Sequence, residues 1–79
     1  MMDKDFSKSA ADLITVCRDR GFSDSAIEAI GIICCSEQMN EVLGSSKAGL
    51  TRVTEYAKTA YKAEDVMSFA HKLASGEIQ

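Results

Sequence analysis

Apolar residues along this chain recur every three or four positions, and no stretch alternates apolar and polar residues for more than a few positions. That is the period of amphipathic helices, not of strands. Phe6, Ala10, Leu13, Ile14 and Cys17 share one face, which predicts a first helix over about 7–20. Gly21 can take the left-handed C′ position that ends it, and Phe22 supplies the apolar C″ contact. Ser23 then reads as the N-cap of the next helix, with Asp24 in its first turn. Phe22 and Ile27 have the spacing of a hydrophobic staple across that start.

The second segment, about 24–43, carries two apolar faces. Ile27, Ile30 and Cys34 form one; Ile32, Cys35, Met39 and Val42 form the other. A helix apolar on two sides belongs at the centre of a bundle. Ser36-Glu37 offers a fresh helix start and therefore a kink. Gly44 is the stop, and Ser45 or Ser46 caps a third helix over about 47–61. Its buried stripe is Leu50, Val53, Ala57, Ala60 and Tyr61.

The last segment, about 64–75, opens on Glu64-Asp65 and carries Val66, Phe69, Ala70 and Leu73. Lys72 in its last turn and Gly76 beyond it are conventional end signals. Nothing at Lys62-Ala63 compels a break, because small residues run through the junction from Ala57 to Ala74. An uninterrupted helix from Lys47 to Ala74 would be about 42 Å long at 1.5 Å per residue. A turn near Tyr61–Ala63 is the preferred reading. The expected fold is thus all-α: one domain over 1–79, a small bundle of three to four helices, with the last two as a single long helix in the alternative. Glu77-Ile78-Gln79 is expected to be a frayed tail.

Composition narrows what such a bundle does. The chain has 79 residues, 8.5 kDa, no Pro, no Trp and 46% apolar residues, which is ordinary for a globular domain. Surface scaling lets a chain this small bury roughly 60% of its unfolded surface, enough for one modest core. Met1 to Asp5 shows no basic and apolar leader, and Ala29–Cys35 is the longest apolar run, far short of a membrane span. Three cysteines, two of them adjacent, make a poor disulfide framework. They read as free, buried thiols in a reducing compartment, and the expected location is the cytoplasm.

Catalytic and metal chemistry find little to build on. His71 is the single histidine and has no second ligand at metal spacing. Cys34 and Cys35 point about 100° apart on a helix and cannot easily share one tetrahedral ion. No phosphate loop and no G-x-S-x-G elbow is present. No enzyme, no cofactor, no metal and no membrane partner is therefore expected.

Charge is more informative. The formal net charge is −3. Residues 1–44 hold four bases and eight acids, −4, and residues 45–79 hold five bases and four acids, +1. The basic excess falls on the third helix and its entry turn, 45–62, with four bases and one acid. There Leu43-Gly44, Ser46, Leu50 and Thr51-Arg52 resemble the turn and recognition helix of helix-turn-helix DNA-binding proteins. The resemblance implies that Ser46, Lys47, Thr51, Arg52 and Lys58 meet DNA. The sequence departs from that pattern at Asn40, Ser45 and Gly49, and strong nonspecific DNA affinity does not suit a net acidic chain. Arg20-Gly21-Phe22-Ser23 followed by Ala26 and Ala29-Ile30 is similar to the glycine-aromatic loop of small ubiquitin-associated domains, although the helix stop and staple account for the same residues.

The leading expectation is a non-enzymatic protein-interaction module that binds a larger partner or itself. Its motive lies in Met67, Phe69 and Leu73, which cover more than one side of a short last helix. DNA binding through the third helix is the alternative.

Overall fold

The computed structural model describes residues 4–78, so Met1–Asp3 of the N-terminal reading and Gln79 of the tail lie outside the described residues. Five helices follow one another: α1 (Lys4–Asp19), α2 (Asp24–Cys34), α3 (Glu37–Leu43), α4 (Ser46–Ala57) and α5 (Ala63–Ser75). There is no strand among the described residues. α1 packs chiefly on α4 and α2 on α5, while α3 touches both α4 and α5.

The helix boundaries follow from local chemistry. At the end of α1 the Phe22 N–H donates to the Cys17 carbonyl at 3.1 Å and the Gly21 N–H to Arg18 at 3.0 Å. With Gly21 at φ +81°, this is the Schellman stop expected from Gly-Phe. Ser23 Oγ accepts the Ala26 N–H at 3.2 Å and caps α2. Ser36 Oγ accepts the Met39 N–H at 3.2 Å and caps α3 in the same way. The predicted helix over 24–43 is therefore two helices, separated at Cys35-Ser36.

That break resolves the two apolar faces. Ile30 and Cys34 are buried on α2, and the new start at Ser36 rotates Met39 into the same core. Ile32, Cys35 and Val42 stay outside. The second apolar face was a product of reading one helical register across a discontinuity.

Gly44, at φ +74°, joins α3 to α4, and Ser45 rather than Ser46 is the cap, its Oγ accepting the Lys47 N–H at 3.1 Å. α4 ends at Ala57, earlier than position 61, and the chain turns over 58–62 before α5. The long-helix alternative is excluded, since the molecule measures only 29 Å in its longest direction. Tyr61, expected in the buried stripe, is 91% exposed because α4 ends before reaching it. The Arg20 guanidinium donates to the Ala60 carbonyl and ties the end of α1 to this turn.

One core unites all five helices: Leu13 and Cys17, Ile30 and Cys34, Met39, Leu50, Val53 and Ala57, and Val66, Ala70 and Leu73, with Ala60 beside them. Thr54 is its one buried polar side chain among the described residues, and its Oγ1 donates to the Leu50 carbonyl at 2.6 Å. Ile78 packs against the core and the Glu77 N–H donates to Lys72 at 3.0 Å, so the described part of the tail is docked rather than frayed.

Candidate functional site

The residues expected to meet a partner divide between core and seam. Leu73 is fully buried and takes no part in the surface. It lies on the inner stripe of α5 with Val66 and Ala70, spaced by four and three. Phe69 is half-buried, its ring stacked on Tyr56 of α4 with centroids 4.2 Å apart and planes within 2°. Met67 is half-buried and packs against the core. Of the apolar surplus that the sequence assigned to α5, Leu73 is taken up wholly by the core and Met67 and Phe69 in part.

The apolar surface lies on another helix. Ile32 is 65% exposed near the end of α2, and Val42 and Ile14 are about two-fifths exposed. Ile32 borders a groove of about 360 Å³ formed by the end of α2, the start of α3 and the last turns of α5. Ile32, Ile33 and Ala74 give it an apolar lining, and Ser36, Gln38, His71 and Ser75 add polar groups. Ser36 Oγ is engaged in capping α3, and Ser75 Oγ donates to the Lys72 carbonyl at 3.2 Å. His71 meets no carboxylate among the groove's lining residues.

The sequence held a signal for this groove. Ser36-Glu37 repeats the pattern of Ser23-Asp24, a hydroxyl cap followed by an acid, and both are helix starts. Accepting the second start leaves Ile32 and Cys35 on the outside of the last turn of α2.

The residues assigned to DNA contact gather on α4 and its C-cap, Lys58. Lys47, Thr51 and Lys58 are exposed, spaced so that they fall along one side of the helix, and Arg52 is half-buried on its flank. Ser46 is half-buried as the first residue of α4. Thr51 Oγ1 donates to the Lys47 carbonyl at 3.0 Å. Glu55 sits on the same side, and its carboxylate meets Lys58 Nζ at 3.1 Å. Gly49, which departs from the recognition-helix pattern, is buried where α3 meets α4: a Cβ there would fall 2.4 Å from Met39 Cγ. The glycine serves close packing of the two helices.

The three thiols are free. Cys17 and Cys34 are buried as expected, while Cys35 is exposed, and the pair ends α2 rather than lying mid-helix. Burial, with smaller contributions from Cys35 and Cys17, pushes the Cys34 thiol from 9.0 up to about 12. Burial also raises Cys17 and Cys35. Each shift favours the protonated, unreactive thiol. No group of three or more His, Cys, Asp or Glu that could hold a metal ion occurs among the described residues. No helix is long and apolar enough to cross a membrane among the described residues.

Comparison of the chain with protein-family models, curated proteins and solved structures gives no match.

Proposed function

We propose that this protein is a non-enzymatic helical interaction module, and that it engages a protein partner through the groove between α2, α3 and α5. The observation that carries this reading is Ile32. A large aliphatic side chain, 65% exposed, stands at the edge of a partly apolar groove although the same small chain buries every other isoleucine more deeply. Exposed apolar groups beside a concavity are the usual anchor points of protein contacts. The test is affinity capture from the native host with the full chain and with Ile32→Gln. A partner held by the first and lost by the second, at equal helicity and melting temperature, supports the reading. A partner retained equally by both excludes the groove as its seat.

DNA binding through α4 remains the second reading, favoured by the two-residue link at Gly44-Ser45 and by the exposed Lys47, Thr51 and Lys58. Two features weigh against it. Glu55 occupies the middle of that face, and α3, which would cross the phosphate backbone in this docking mode, exposes Glu37 and Glu41. DNA binding predicts a retarded duplex at low salt that Arg52→Ala and Lys47→Ala release; no retardation at about 50 mM salt would end this reading.

A further inference from the structure

From Gly21 to Ser46 the chain carries four acids, Asp24, Glu28, Glu37 and Glu41, and not one Lys, Arg or His. All four carboxylates are exposed. Glu28 precedes Ile32 by four residues on α2, so the two share a face. Glu41 follows Gln38 by three on α3, and Gln38 lines the groove. The groove therefore has a largely apolar lining, and an exposed carboxylate stands one helical turn from it on each of α2 and α3. The third wall, α5, contributes His71 and next to it Lys72, and Glu64 and Asp65 lie at its far end.

We infer that the groove takes a basic amphipathic helix of a partner protein, its apolar side chains seated on Ile32, Ile33 and Ala74 and its Lys or Arg residues facing Glu28 and Glu41. This rests on the interaction reading above and adds the chemistry of the partner. Three helical walls form a trough suited to a further helix, the helix-in-groove mode of recognition. The volume of about 360 Å³ admits a short row of side chains rather than a whole helix, so the apolar contacts are few. The carboxylates then select the partner: opposite charge speeds encounter and like charge rejects wrong ligands. The same carboxylates repel nucleic acid and anionic lipid from this face.

The test uses the full chain, isotope-labelled, and a roughly 16-residue peptide with Leu at i, i+3, i+4 and i+7 and Lys elsewhere. A second peptide keeps the Leu pattern and replaces every Lys by Glu. The expected result is that the Lys peptide shifts amides of Ile32–Gln38 and His71–Ser75, and that the Glu peptide binds at least about tenfold more weakly. Glu28→Gln with Glu41→Gln should weaken the Lys peptide about fivefold at about 50 mM salt, with the difference vanishing near 500 mM. Ile32→Gln should weaken it about tenfold at either salt concentration.

Equal or tighter binding of the Glu peptide at the same amides overturns the basic partner and leaves the interaction module standing. Shifts mapping elsewhere, or no binding at millimolar peptide, overturn the inference, and the capture experiment with Ile32→Gln then judges the module independently. A concentration-dependent dimer abolished by Ile32→Gln also overturns it, because the occupant is then a second copy.

Discussion

Two glycines inside helices show how differently the two sides of this molecule are built. A Cβ at Gly49 of α4 would collide with the fully buried Met39, whereas a Cβ at Gly31 of α2 would meet nothing within 4 Å. One residue beyond Gly31 stands Ile32, open to solvent, and one beyond Gly49 stands Leu50, buried. At the seam of α3 and α4 the Met39 side chain fills the space where a Cβ of residue 49 would stand, while the outer side of α2 is unfilled. A chain that can pack helices as tightly as Met39 on Gly49 does not leave Ile32 outside for lack of packing ability. The contrast assigns stability to the first region, and the second is where the proposed recognition falls.

The largest expected effect breaks the closed side. Leu73→Ala should cost about 2–5 kcal/mol, the range for truncating a buried leucine. For a domain this small, each 1 kcal/mol lowers the melting temperature by about 4–8 °C. Thermal unfolding followed by circular dichroism checks it. A loss under about 0.5 kcal/mol, typical of a surface substitution, would return Leu73 to the interface.

Gly49→Ala comes next. The added methyl overpacks Met39 at a cost of about 1–3 kcal/mol, and the gain in helix propensity returns about 1 kcal/mol. A net loss of about 1 kcal/mol in urea unfolding is expected. Replacing Met39 by Ala as well should reverse the sign, because the clash is then gone and only the propensity gain remains. A double-mutant cycle showing no coupling would contradict the close approach of α3 and α4.

This contrast also explains how far the sequence could be read. The stops at Gly21, Gly44 and Gly76 were legible because a left-handed residue needs glycine, and all three have positive φ. The caps at Ser23 and Ser36 are equally local. What local signals do not convey is the consequence of a break for everything beyond it. Reading α2 and α3 as one helix placed Ile32 and Met39 on a common face, yet one is exposed and the other wholly buried. Tyr61 failed for the same reason, since the register of α4 stops at Ala57. On α5 Leu73 leaves the expected partner face for a different reason. A set such as Met67, Phe69 and Leu73 looks the same in sequence whether it meets a partner or the chain's own helices, and only the burial of Leu73 and the stacking of Phe69 on Tyr56 show what the fold takes up. The groove required knowing which three helix segments meet, and His71 lies far along the chain from Ile32 and Gln38.

The buried thiol of Cys34 gives the closed side a pH signature. Its pKa is raised from 9.0 in the unfolded chain to about 12 in the fold. Below pH 9 both states hold the proton, and the contribution to stability is constant. Between about pH 9 and 12 the unfolded state releases its proton while the native state keeps it, so stability falls as pH rises. Cys34→Ser or Cys34→Ala should flatten the alkaline limb of a stability profile measured by denaturant titration. Cys17 titrates in the same direction, so a residual slope from it is expected. Thiol labelling of the native protein should modify Cys35 first, since it alone is exposed.

The smallest effects belong to the open side, and their smallness is the point. Gly31→Ala has space and a helical position, so it should stabilise by about 0.5–1 kcal/mol. Ile32→Gln should leave stability within about 0.5 kcal/mol, because the side chain is 65% exposed and Gln sustains a helix. An isoleucine whose replacement by a polar residue costs the fold so little is not required by it. If Ile32→Gln instead lowered stability by more than about 1 kcal/mol, Ile32 would be packing against its own chain and the groove would belong to the core. If stability holds and the partner is lost, the two sides of the molecule separate experimentally: the Met39–Gly49 seam holds the fold, and Ile32 recognises something outside it.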